Sequence, residues 1–264
     1  MFDALYIGAT GLQAQQLNVD TIANNVANAT TIGFKKARVS FTDLMAREAV
    51  RQTLPAADAD LSILGGELRT GIGVGVASMA KVFETGDIQK TDSALDIAIS
   101  GDGFLEVTLP DGSRAYTRGG TLKVNRDGLL ATQAGHPLKP TISIPDSVNS
   151  IVIRADGVIQ GQVTGQSNLI ELGQLDLVRF ANPSGLLASG DGLYRASEAS
   201  GEAITSKAGE DNVGNVMQGY LEGSNVHMVD EMVNLMVAQR AYEANAKVLQ
   251  ASDEMLGMVN SLRR

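Results

Sequence analysis

The chain has 264 residues, enough for one large domain or two to three small ones, and a formal charge of −9. That charge argues against nucleic acid, whose binding proteins carry a basic footprint. With no Cys there are no disulfides, thiol nucleophiles or thiolate metal sites, and with no Trp and 4% aromatics there is little material for a stacking platform.

The first expected element is a helix within residues 5–34. Leu5, Leu12, Val19 and Val26 recur at intervals of seven, with Ile22 and Ala29 in the companion column and Gly8 and Gln15 holding it earlier. That spacing makes a seam. Residues 1–34 contain no Lys or Arg, and Asp3 and Asp20 are the only acids. A solvated helix carries charge on its outer face. Here that face is Gln, Asn, Thr, Ala and Gly, so neighbours are expected on more than one side. A plain helical hairpin capping a globular core is the alternative. Asn24, Asn25 and Asn28, followed by Gly33, are expected to stop the helix near Asn28. The same amides can bond to neighbouring subunits.

Residues 41–50 are expected to form a short helix. Residues 51–66, RQTLPAADADLSILGG, are expected to form an extended arm whose Leu54, Leu61, Ile63 and Leu64 seek a partner surface and whose Pro55 stiffens it. Residues 70–76, TGIGVGV, alternate Gly with Ile and Val. A dinucleotide fingerprint needs G-x-G-x-x-G opening a helix, so this run is a strand with one bare face, which another backbone approaches closely.

The middle of the chain reads as β structure. Asp-Gly pairs at 102–103, 111–112, 127–128, 156–157 and 191–192 are flanked by strand-like runs, the pattern of hairpins. No calcium ladder surrounds them. A second heptad helix is expected from about Met228 to Leu262, with Leu235, Tyr242, Leu249 and Leu256 at seven and Met232, Ala238, Ala246 and Val259 beside them. The N-terminus lacks a basic segment and a long apolar run, so no cleaved signal peptide is expected. No run reaches the ~20 apolar residues of a membrane span. His136 and His227 have no ligand spacing around them, and no G-x-S-x-G elbow is present. Neither an enzyme, a cofactor nor a metal is expected.

Two long stretches, TGLQAQQLNVDTIANNVANATTIGFKKAR (residues 10–38) and GYLEGSNVHMVDEMVNLMVAQRAYEANAKVLQASDEML (residues 219–256), resemble the terminal signatures of the bacterial flagellar rod and hook family. ALDIAISGDGFLEVTLPDGSRAYTRGGTLKVNRDGLLAT (residues 94–132) resembles its β domain. Chain length and TGIGVGVASMAKVFETGDIQKT (residues 70–91) are most similar to the distal-rod members, with hook or proximal-rod subunits as the alternative. His227 stands in the family's pattern where Asn is more usual.

The resemblance implies an α+β fold. Residues 1–33 and 225–264 would form a discontinuous two-helix coiled-coil domain. Residues 34–84 and 216–224 would be an extended connector with its long arm at 46–70, and residues 85–215 an inserted all-β domain. It further implies a self-assembling helical homo-oligomer, the drive shaft that carries torque and lines an export channel. The assembly interface would comprise Leu5, Leu12, Val19, Ile22, Val26, Asn24, Asn25, Asn28, Met232, Leu235, Tyr242, Leu249 and Leu256. The implied partners are proximal rod subunits below, hook subunits above, the surrounding P and L ring proteins and the flagellar type III export apparatus, with neither nucleic acid nor membrane insertion. The arm would stiffen the rod.

Overall fold

The computed structural model describes residues 2–47, 69–163, 168–210 and 213–262. The expected arm, with Leu54, Pro55, Leu61, Ile63 and Leu64, lies outside them. The fold is α+β, with a β-rich region inserted between two terminal helices. The chain divides into two units. One comprises Met1–Asn24, Arg38–Met79 and Val229–Arg264, and the other comprises Asn25–Ala37 and Ala80–Met228.

The first unit holds most of helix α1 (Phe2–Ala27), strands β1 (Ala37–Arg47) and β2 (Arg69–Lys81), and helix α2 (Met228–Leu262). Helix α1 runs through Asn24 and Asn25 and ends at Ala27, just before Asn28. Helix α2 carries Asp230 and Glu231 in its first turn, where the helix dipole favours acids. The short helix expected over residues 41–50 is not formed over its described part, residues 41–47. Residues 37–47 are instead a strand paired with β2. A run such as FTDLMAR satisfies both periods, and a strand partner outside the local window decides between them.

Two of the three glycines of β2, Gly73 and Gly75, receive a close neighbour, but it is a side chain rather than a backbone, and Gly71 has open space around it. A methyl at Gly73 would overlap the Thr10 hydroxyl of α1, and one at Gly75 would meet the Leu44 side chain at 3.2 Å.

The second unit is built of antiparallel strands. In chain order the first are β3 (Ile88–Lys90), β4 (Asp96–Ser100), β5 (Phe104–Thr108), β6 (Arg114–Thr117), β7 (Gly119–Val124), β8 (Leu130–Thr132) and β9 (Leu138–Lys139). Next come β10 (Val148–Ile153), β11 (Val158–Val163), β12 (Leu169–Gln174) and β13 (Asp176–Arg179). The last are β14 (Leu187–Gly190), β15 (Leu193–Arg195), β16 (Ile204–Lys207), β17 (Asn215–Gln218) and β18 (Tyr220–Glu222). The largest sheet runs β14-β15-β6-β5-β13-β16, with β9 also on β5. A second runs β17-β4-β7-β8, a third β10-β11-β12, and β18 pairs with β3.

Both faces of β5 are buried. Leu105 and Val107 enter an aliphatic core with Ile97, Ile99, Leu130, Ile159 and Leu177. Phe104, on the other face, joins Tyr116, Val178, Phe180, Leu186 and Tyr194. The aromatic rings meet edge to face, Phe83 on Phe104 at 5.3 Å and Tyr116 on Phe180 at 4.8 Å between centroids, the arrangement that the ring quadrupoles favour.

Four of the five expected Asp-Gly hairpins are present, joining β5 to β6, β7 to β8, β10 to β11 and β14 to β15. The fifth, Asp102-Gly103, joins β4 to β5, which do not pair. Strand β4 goes instead to β17 and β7. Only at 191–192 do both residues take positive φ; in the other three hairpins the glycine alone does.

Gly157 combines φ +81° with close backbone approach, since a methyl there would lie 2.5 Å from the Leu175 carbonyl oxygen. Gly112, at φ +78°, has open space around it. The left-handed conformation costs a side chain roughly 1–2 kcal/mol. Gly157→Ala is therefore expected to lower stability by more than Gly112→Ala, which pays only that backbone cost. Thermal unfolding of the two variants reads the difference, and equal losses would mean that the approach of Leu175 contributes nothing.

Candidate assembly interface

The two helices of the first unit touch where α1 is smallest. A methyl on Gly8 would lie 3.1 Å from Leu249 Cγ, and one on Gly11 would lie 2.9 Å from Asn245 Nδ2. Gly8, which interrupts the heptad pattern, and Gly11 beside the seam therefore admit α2 side chains, a use of small residues for close approach. Along α1, Leu5, Leu12, Val19 and Val26 are half-buried, while Ala14, Thr21 and Ile22 are buried. Along α2, Ala238 and Ser252 are buried and Leu235, Asn245, Leu249 and Leu256 half-buried. Of the remaining interface candidates, Asn25 is buried, Asn28 half-buried, and Asn24, Met232 and Tyr242 exposed.

Helix α2 carries a second apolar surface. Val229, Met232, Val233, Met236, Val237, Val248, Met255 and Met258 are all exposed, Val229 at 74% and Val237 at 62%. Scattered single apolar residues on a surface are ordinary, but so many on one helix mark an interaction site. Met232 lies at the edge of this surface, whereas Tyr242 falls in the column of Leu235 and Leu249, seven residues from each. The sequence signal was available, because α2 has apolar residues in more columns than one seam can use.

The second unit contains a buried charged cluster that sequence spacing did not reveal. Lys35 is 0% exposed. Its Nζ donates to Glu222 Oε1 at 2.7 Å and to the Glu84 carbonyl at 2.6 Å. Arg118 Nε donates to Glu222 Oε2 at 3.1 Å, and its two terminal nitrogens donate to the carbonyls of Gly103 and Gly101. The Gly86 N–H completes the shell of Glu222 at 2.9 Å. Burial alone pushes the Glu222 carboxyl up, but Arg118 and Lys35 more than offset it and hold the group below its ordinary value. Burial pulls the Lys35 amine down, against the opposing pull of Glu222. Buried charges survive only when paired and fully hydrogen-bonded, and this cluster meets that condition.

The same unit has a groove of about 750 Å³ whose lining includes Ile32, Phe34, Lys81, Thr117, Leu122 and Tyr194. Its charged lining residues are Lys81, Arg118 and Asp191. Lys81 donates to the Lys35 carbonyl at 2.8 Å and lies over the Phe34 ring. Burial pushes the Tyr194 hydroxyl up to about 12. The groove brings no nucleophile and base together. Among the described residues no three potential metal ligands cluster, and no helix is long and apolar enough to cross a membrane.

Three family models match. They are the flagella basal body rod protein over residues 5–35, the flagellar hook protein FlgE/F/G D1 domain over 98–161, and the flagellar basal body rod FlgEFG protein C-terminal region over 217–262. Among similar proteins, the flagellar basal-body rod protein FlgG of Borreliella burgdorferi is 43% identical, with all of both chains covered. FlgG of Caulobacter vibrioides is 40% identical, covering 98% of this chain and 99% of its own, and FlgG of Bacillus subtilis is 37% identical over the whole of both chains.

Proposed function

The chain belongs to the FlgG family of flagellar basal-body rod proteins, a structural family of the distal rod and not an enzyme family, and from that premise we propose how it builds the rod. Copies stack helically, with α1 and α2 of each subunit packed against those of its neighbours around an export channel. The observation that supports this is the exposed apolar surface of α2, from Val229 to Met258. A lone subunit leaves it in water, and a ring of identical neighbours buries it. The interface is heterologous, since one surface meeting a different one on the next copy generates an open helix rather than a closed dimer. Torque enters from the proximal rod subunits below and leaves through the hook subunits above. The P and L ring proteins surround the shaft, and subunits arrive through the flagellar type III export apparatus.

Concentrated protein is expected to form straight tubes, seen by sedimentation and negative-stain microscopy. A chain that stays monomeric at every concentration, alone and with purified basal bodies, would count against assembly through these helices. The apolar residues Leu54, Leu61, Ile63 and Leu64, with Pro55, are assigned a stiffening role. Deleting residues 51–66 is expected to give curved polymers, whereas straight ones of unchanged stiffness would reduce the arm to a loop.

A further inference from the structure

The chain crosses between its two units at four places, after Asn24, Ala37, Met79 and Met228. Inside the second unit, the segments next to all four crossings are tied to one another by buried polar side chains. Asn25, beside the first, accepts from the Ala37 N–H and donates to the Ala37 carbonyl, both at 2.9 Å, which joins the first crossing to the second. Val82 donates its N–H to the Lys36 carbonyl at 2.9 Å, and Lys81 Nζ donates to the Lys35 carbonyl, which joins the second to the third. Asn225, beside the fourth, accepts from the Lys36 N–H and donates to the Val82 carbonyl, both at 2.8 Å. Glu222 then accepts from Lys35, Gly86 and Arg118, and Arg118 fastens the group to the loop between β4 and β5.

Much of the chain around these bonds is irregular. Residues 34–36 and 82–87 lie in no strand or helix, so few ladder partners satisfy their backbone groups. Buried backbone polar groups need partners, and here side chains from distant parts of the sequence supply several of them. Ordinary satisfied contacts would be a set of independent pairs. In this group each member joins two or more segments, its own included: Asn25 two, Lys35, Arg118 and Asn225 three each, and Glu222 four.

We propose that Asn25, Lys35, Arg118, Glu222 and Asn225 act as one latch that grips all four crossings cooperatively and fastens them to the β core. Tension on any one crossing is thereby shared by the others, a role in torque transmission that rests on the rod reading. Cooperativity within the latch does not rest on it.

Native-state hydrogen exchange on the full-length monomer tests the latch. In Asn225→Ala, protection is expected to fall by about tenfold not only at Lys36, the direct partner, but also at Ala37 and Gly86, which Asn225 does not touch. In Asn25→Ala, protection is expected to fall at Lys36 as well as at Ala37. Val107 and Val178 in the core should keep their protection in both variants. Loss confined to each variant's direct partner would overturn the latch, because the bonds would then be independent. Loss at Val107 and Val178 in both variants would also overturn it, making these residues general supports of the core. Cells carrying variants that assemble rods in normal number should swim normally in dilute medium and lose speed at high viscosity, and unchanged speed would remove the mechanical role. Wild-type protein that never forms rods would count against the rod reading alone, because exchange is measured on the monomer.

Discussion

Leu249→Asp is expected to abolish rod formation while the second unit stays folded. Leu249 lies directly over Gly8, where its side chain fills the space that the missing methyl leaves. A carboxylate there faces an apolar contact with no cation opposite it. An unpaired charge forced into this half-buried apolar contact costs a part of the several kcal/mol, in order of magnitude, that full burial would cost. Isolated helices draw most of their stability from packing, so the α1–α2 pair would separate rather than absorb that cost. Leu12→Asp, on the facing seam, has the same expected outcome. The second unit has its own aliphatic and aromatic cores, and Leu249 belongs to neither. Sedimentation and electron microscopy read assembly, and near-ultraviolet circular dichroism of the buried Tyr116 and Tyr194 reads the second unit. Native rods from either variant would show that these residues do not form the seam.

The two helices were legible in the sequence because their information is local. Heptad columns, the Asn cluster at the end of α1 and the acids in the first turn of α2 all lie within a few turns of what they determine. What was misread depended on distant partners. Gly8 looked like a gap in the seam until Leu249, 241 positions later, was seen to fill it. Residues 41–50 carried an ambiguous pattern that strand β2 resolved. Asp102-Gly103 has the composition of a hairpin, but its flanking strands find better partners in β17 and β13. The exposed side of α2 was partly readable, since Met232, at the edge of that side, was picked out as an interface residue.

The latch was invisible for the same reason. Nothing in the sequence around Lys35 announces a counter-charge at Glu222. Burial of Lys35 follows only when the segments around residues 35, 84, 118 and 222 come together. A buried ion group is weak grounds for stability in general, because desolvation consumes much of the Coulombic gain. Here it also supplies donors and acceptors to irregular backbone, a task that an apolar replacement could not perform.

Glu222→Gln makes that cost measurable. The amide keeps the shape of the carboxylate and one acceptor for Lys35 and Gly86, but it leaves Lys35 and Arg118 buried without their counter-charge. Breaking a buried pair from one side costs about 3–5 kcal/mol, so the second unit is expected to lose stability on that scale at neutral pH. The pH dependence separates charge from shape. Glu222 is held below its ordinary value of 4.5 in the folded chain. Its contribution is therefore complete above about 4.5 and is lost as pH falls through the lower, folded value. Lys35 is also held below its ordinary value of 10.5. Burial disfavours the charged form of this base in the folded state, so its contribution to stability rises with pH between the folded value and 10.5, opposite in cause to the carboxylate limb. Denaturant unfolding followed at Tyr116 and Tyr194 should then show an acid limb in the wild type that is markedly flatter in Glu222→Gln. An equally steep acid limb in the variant would assign the acid sensitivity to other carboxylates, and a neutral-pH loss below about 1 kcal/mol, the worth of an ordinary exposed pair, would mean that the two cations do not depend on Glu222.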